Sequence, residues 1–160
     1  MANWQIRVQA YDSKYVDQLR TVFFTSIRQS AKDYYNEEQL NAWAPEKYDN
    51  ERWRTRIEAV RPFIATMDEV VVGYADIQPS GYIDHFFVKG GMSGKGIGTI
   101  LMTRLFKEAE FNAVPVLYSD VSLAARSFFE RHGFEVVEEK NLTIECISLD
   151  NARMAKKIHS

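Results

Sequence analysis

Ser93-Gly94-Lys95-Gly96-Ile97-Gly98-Thr99 stands between two apolar runs of different period. Before it comes Tyr82-Ile83-Asp84-His85-Phe86-Phe87-Val88, which reads as a strand; after it Ile100 to Glu110 reads as a helix. A strand feeding a glycine-rich turn that opens a helix is suited to holding an anion. The first turn of a helix carries unpaired N–H groups and roughly half a positive charge, and glycine lets backbone approach a phosphate closely. Two common phosphate loops do not fit. The nucleoside-triphosphate loop needs a glycine five residues before its Gly-Lys-Ser/Thr end; here position 89 is Lys89, and Gly94-Lys95 is followed by Gly96. The dinucleotide fingerprint needs a small third residue where Thr99 stands and an early place in a βαβ unit, whereas this turn lies mid-chain.

Outward from the turn, the chain alternates strands and helices. Ile6 to Ala10 alternates apolar and polar residues, as a half-buried strand does. Asp12 or Ser13 can cap a helix whose stripe is Val16, Leu19, Phe23 and Ile27. Asn36 and Gln39 form a capping-box pair for a short helix that ends near Trp43 and is stopped by Pro45. Asp49 or Asn50 can cap a third helix that buries Trp53, Ile57 and Val60. Phe63–Thr66, Val70–Ile77 and Tyr82–Val88 are strands with short turns between them, hence an antiparallel meander. The helix after the glycine turn is followed by a strand at Val116–Ser119, so the two flanking strands are parallel with a right-handed crossover. Ser122 to His132 reads as a short helix closed by Gly133. Phe134–Glu139 and Leu142–Leu149 read as a hairpin turning near Lys140-Asn141, with Asp150 to Ile158 a loose tail or short helix. The fold class is therefore α/β (α+β): a mixed, mainly antiparallel sheet of six to seven strands, flanked by helices, with one parallel pair beside the glycine turn.

With 160 residues the chain is expected to be one domain over positions 1–160. Lys and Arg number 20 against 22 Asp and Glu, a net charge of −2 that gives no electrostatic case for nucleic acid or an anionic membrane. An anionic ligand must then be held locally, by amides and a few cations such as Lys95. Cys146 is the single cysteine, so neither an intrachain disulfide nor a cysteine metal site is expected. Met1 to Trp4 leads into an amphipathic strand rather than a signal segment, and no run reaches transmembrane length. A cytoplasmic protein, monomer or homodimer, is the expectation.

Two motifs at matching spacing carry a resemblance. Gly94-Lys95-Gly96-Ile97-Gly98, separated from Val88 by five residues, resembles the acyl-CoA loop of the GNAT superfamily of N-acetyltransferases. Ser122-x-x-Ala125-x-x-Phe128-Phe129-Glu130-Arg131-x-Gly133-Phe134 resembles that family's Asn-x-x-Ala-x-x-Phe-Tyr-Glu-Lys-x-Gly-Phe, with Ser122 for Asn and Phe129 for Tyr. The family's common Arg or Gln ahead of the first glycine is absent. The resemblance implies that the parallel pair splays apart and that the pantetheine arm of acetyl-CoA lies in the gap against Phe86, Phe87 and Val88. It implies the diphosphate on Ser93, Gly94, Lys95, Gly96, Ile97, Gly98 and Thr99, with Ser122 and Phe128 beside the arm. The reaction implied is acetyl transfer to a primary amine, on a small molecule or an exposed amino group, by direct attack in a ternary complex. A non-catalytic acyl-CoA-binding module is the alternative, because phenylalanine at 129 cannot donate the proton that the family's tyrosine gives the thiolate. Tyr118, a tyrosine on the neighbouring strand, or water must then substitute as the acid; otherwise the step runs unassisted. Asp84 and His85 are the candidate bases; on a strand they point to opposite faces, so at most one lines the acceptor pocket. Tyr34, Tyr35, Trp43 and Tyr82 are candidate acceptor-pocket residues, and Asp33, Glu37 and Glu38 could draw in a cationic amine.

Overall fold

The structure, a computed structural model, describes residues 5–158, and the lead-in Met1–Trp4 lies outside it. Among these residues eight strands form two four-stranded sheets. The first runs β1 (Ile6–Gln9), β2 (Phe63–Met67), β3 (Val70–Ala75) and β5 (Phe86–Val88), antiparallel throughout. The second runs β4 (Tyr82–Ile83), β6 (Val116–Ser122), β8 (Ile147–Lys157) and β7 (Glu135–Ile144); β4 and β6 are parallel and the rest antiparallel. The sheets are joined where one leaves off and the other begins, between β4 and β5.

Helices cover the first sheet on both faces. A 3-10 turn capped by Asp12 leads into α1 (Val16–Ser30). α2 (Glu37–Trp43) starts on the Asn36–Gln39 capping box, and α3 (Asn50–Val60) on Asp49, whose carboxylate accepts the Glu51 and Arg52 amides. These three pack on Ile64, Val71 and Tyr74. α4 (Ile97–Phe111) covers the opposite face, against Ala65, Val72 and Ala75. α5 (Arg126–Arg131) follows β6. The alternation along β2 and β3 therefore has no polar face, as expected for strands buried on both sides.

Several boundaries differ from the sequence reading. α4 begins at Ile97, since the amide of Ile100 already bonds to the Gly96 carbonyl. Ser122 ends β6 rather than opening a helix, and α5 starts at Arg126. The last hairpin turns at Glu145-Cys146, not at Lys140-Asn141. Both turn residues take left-handed backbone, φ 48° and 68°, which gives the tight two-residue loop without its usual Asn-Gly signature. Asn141 stays in the strand because its side chain is used across it: its amide donates to Asp150 Oδ1 at 2.8 Å and its oxygen accepts from Ser148 at 2.7 Å. The segment read as a tail is the second half of β8, paired along the whole of β6. Cys146 is exposed at the turn. No described helix is long and apolar enough to cross a membrane.

Candidate active site

The run Tyr82–Val88 is not one strand, and side chains make the break. Asp76, buried at the end of β3's apolar run, accepts the amides of Asp84 (2.9 Å) and His85 (2.6 Å) on one oxygen. Ser119 donates to the Ile83 carbonyl at 2.7 Å. Backbone groups that would have continued the β4–β6 ladder are thus satisfied without it. Pairing of β4 with β6 stops at Ile83–Ser119, and three residues later the chain belongs to the other sheet. β5 is that sheet's edge, so a gap opens between β5 and the end of β6.

A cavity of about 310 Å³ occupies the gap, between Phe86, Phe87 and Val88 on one side and Ser122, Ala124 and Phe128 on the other. The ladder fixes which backbone faces it. Lys89 donates to Val72 and His85 accepts from Asp76, so alternate residues face β3. Phe87, paired opposite Tyr74, shares their direction; Phe86 and Val88 turn their amides and carbonyls toward the gap. Of these three residues, two turn their backbone groups into the gap, and Phe87, whose backbone faces β3, borders it as well.

The glycine turn forms the floor of a second cavity, about 270 Å³, together with Met92, Thr99 and Arg131. Gly94 and Gly96 have φ of 78° and 82°, where glycine is favoured. A Cβ at either would meet nothing within 4 Å, so conformation rather than crowding requires glycine, and the space above is open. Gly98 is different: its Cβ would sit 2.8 Å from the Phe128 ring, which seats α5 directly on α4. Ile97 buries its side chain and offers only its amide, while Lys95 is exposed beside the turn. Arg131 adds a cation that the sequence reading did not single out.

A third cavity, about 280 Å³, lies beyond the gap among Phe23, Trp43, Arg56, Tyr82, Asp84 and Phe87. It shares Trp43, Phe87 and Ser122 with the gap, and the gap shares Val88, Ser93, Gly98 and Phe128 with the turn. One cleft therefore runs from the glycine turn to Asp84. Tyr35 also borders the third cavity; its buried hydroxyl donates to the Asp150 carbonyl at 2.6 Å and accepts the Leu123 amide at 3.0 Å, which ties the α1–α2 connection to β8 and β6. Several expected residues are elsewhere. Tyr34 is 54% exposed and borders none of the three cavities. Tyr118 is on the same face of β6 as Asp120 and Ser122, but its ring packs at a tilt against Tyr82, centroids 5.2 Å apart, and its hydroxyl donates to Ser80, so it is not placed as the acid. Asp33, Glu37 and Glu38 are exposed and off the cleft, with Glu37 paired to Arg28. A larger hollow of about 440 Å³ on the outer face of α4, by Ile100 and Phe111, is reached by none of the splayed strands. Among the described residues no cluster of His, Cys, Asp or Glu is placed to hold a metal ion.

Asp84 and His85 approach each other but differ in exposure: Asp84 lines the cavity and His85 does not. Asp84 is half-buried on the cavity wall, and burial raises its carboxyl above the ordinary range against the opposing pull of Arg56. His85 is wholly buried among Phe23, Trp53 and Tyr74. Burial pushes its pKa down to about 3, with Arg56 adding to the shift, so the ring is neutral. Its Nδ1 lies 3.1 Å from the Tyr74 hydroxyl, and Nε2, without a hydrogen-bond partner, faces Asp84 Oδ2 at 4.0 Å. His85 is thus a core residue behind Asp84. A pKa depressed in the fold means that the unfolded chain binds the extra proton first. The stability that neutral His85 contributes is complete above its unfolded pKa of about 6.5 and is lost as pH falls toward about 3. His85→Gln should remove that part of the acid sensitivity: melting temperatures followed from pH 7 to 4 should fall less steeply in the variant than in the wild type.

The comparisons with known proteins agree with this geometry. Residues 31–149 match the family model described as an acetyltransferase (GNAT) domain. The uncharacterized N-acetyltransferase YafP of Escherichia coli strain K12 is 28% identical over 142 residues, 88% of this chain and 87% of that protein. A GCN5-related N-acetyltransferase structure from Rhodopseudomonas palustris superposes with a TM-score of 0.90 at 29% identity, covering 98% of each chain. PaiA N-acetyltransferase from Thermoplasma acidophilum, solved in complex with coenzyme A, has the same fold at 20% identity, with a TM-score of 0.74 over 96% of this chain and 99% of that one. With a family model matched over most of its length and strands that part above a glycine turn, the chain belongs to the GNAT family of acetyltransferases.

Proposed function

We propose that this protein transfers the acetyl group of acetyl-CoA to a primary amine by direct attack within one ternary complex. The observation that carries the reading is the continuous cleft from Gly94–Thr99 to Asp84. The open cradle above Gly94 and Gly96 suits a diphosphate, with the amides that head α4 as donors and Arg131 as a cation. The outward amides and carbonyls of Phe86 and Val88 suit the amide groups of a pantetheine arm. Bound there, acetyl-CoA supplies a thioester carbonyl to be attacked.

The chain's own residues divide the remaining work. The Val88 amide stabilises negative charge that develops on the carbonyl oxygen. Asp84, directly or through water, takes the proton that the amine loses as its nitrogen bonds to the acetyl carbon. The carbon–sulfur bond breaks, and the sulfur keeps the electron pair and takes up a proton. Phe129 is 3% exposed and packs on Phe86, Phe128 and Phe134, so it gives none. Ser122 stands where the arm's channel meets the acceptor cavity; its oxygen accepts the Ala125 amide, so its hydroxyl hydrogen would be available to donate to the sulfur of a bound thioester. A thiolate, whose parent thiol has a pKa of about 8.5, also leaves readily without help and takes its proton from water.

The test is release of free thiol from acetyl-CoA in the presence of a library of amines. At least one amine should be acetylated, with both substrates required together. A protein that binds acetyl-CoA but releases no thiol with any of the amines would instead be a binding module.

A further inference from the structure

The charges lining the acceptor cavity are not all spoken for. Asp120 is matched: Arg153 binds it with two nitrogens at 3.0 and 3.1 Å, and Lys140 lies at 3.4 Å. Asp150 holds the Asn141 amide. Arg28, behind the gap, is used by Glu37 and the Ala44 carbonyl. Arg56 is the exception. It projects from α3 to the cavity with its guanidinium 5.8 Å from the Phe23 ring, and makes no hydrogen bond or ion pair among the described residues. Asp84 shares the cavity but is outside ion-pair contact with it, although Arg56 is the first charge that Asp84 feels. A cation and a carboxylate therefore face one space without touching. A third group is also open: Asn151 Oδ1 is buried, borders the same cavity and has no partner.

An acceptor with a second positive charge would meet Arg56 unfavourably in this half-enclosed space. An acceptor whose nitrogen sits beside a negative group would fit between the two. We infer that the acceptor is an amine carrying its own oxyanion close to the nitrogen, in the manner of an α-amino acid, with Arg56 taking the oxyanion and Asp84 facing the amine. This rests on the acetyl-transfer reading above. A guanidinium fork suits an oxyanion better than a point charge does, because it offers two parallel N–H bonds. The rings of Phe23, Trp43, Tyr82 and Phe87 then enclose the rest of the ligand, and Asn151 Oδ1 is an acceptor for any donor it carries.

The fork matches both carboxylate and phosphate, so the experiment uses two matched pairs: phenylalanine against phenethylamine, and O-phosphoethanolamine against ethanolamine. In the wild type the anionic member of at least one pair should have the higher kcat/KM, on the order of tenfold or more, and the pair that shows it identifies the oxyanion. Arg56→Gln should bring that ratio to about one, mainly through KM, and Arg56→Lys should restore part of it. Comparing ratios between enzymes cancels the different basicity of the amines. Acetyl-CoA binding by each variant, measured by calorimetry, shows that it is folded. Transfer to amines with no preference for the anionic members, or a preference that survives Arg56→Gln, overturns the subsite and leaves acetyl transfer standing. Absence of acetyl-CoA binding in the wild type overturns both.

Discussion

Gly96→Val should lower the affinity for acetyl-CoA by at least about a hundredfold and leave the fold standing. Gly96 has φ 82°, which a β-branched residue adopts only with strain. Left-handed backbone alone costs roughly 1–2 kcal/mol in an L-residue. A Cβ at this position meets no protein atom within 4 Å, so the substitution points into open space and not into the core. It enters the space over the first amides of α4 instead. Hydrogen bonds to a charged group contribute about 1.5–3 kcal/mol each, and the loss of two accounts for the expected drop. Calorimetry gives the affinity, and a melting curve gives the stability. A variant that binds as the wild type does would mean that the diphosphate lies elsewhere.

Asp84→Asn should reduce kcat by about a hundredfold or more, within the range usual for loss of a general base, while acetyl-CoA affinity holds. The pH profile carries the sharper signature. The carboxyl is raised above its ordinary 3.8 by burial, and it acts only when ionised. In the wild type kcat should therefore climb as pH rises through that raised value and then level off. The variant should lack the climb. His85 is not placed to do the same work: its ring is sealed in the core, and its one open nitrogen faces the back of Asp84 rather than the cavity. An Asp84→Asn enzyme with wild-type rate and profile would return the base to some other group or to bulk water.

How much of this was legible beforehand depends on how local the cause is. The glycine turn could be read because left-handed backbone and close approach select glycine one residue at a time. The capping box of α2 and the parallel pair around α4 are likewise short-range patterns. The break between Ile83 and Phe86 was not legible. Tyr82–Val88 reads as an unbroken strand, and what parts it is Asp76 and Ser119, 8 and 36 residues from the groups they satisfy. A hint was present: Asp76 is a charge in an otherwise apolar run, and a buried carboxylate must have donors. The Glu145-Cys146 turn lacks the glycine or asparagine that marks such loops, so Lys140-Asn141 drew the hairpin to itself. β8 looked like a tail because Asp150, Arg153, Lys156 and Lys157 interrupt its apolar residues. Arg56 and Arg131 were two charges among many on helices, and only the fold brings them to the cleft.

The most direct measurement is a calorimetric titration of acetyl-CoA into the unaltered protein, repeated with Gly96→Val. The expected result is saturable heat with one site per chain in the first and little or none in the second. No heat with the unaltered protein, or equal binding by both, would contradict a cofactor held by main-chain donors at the start of α4.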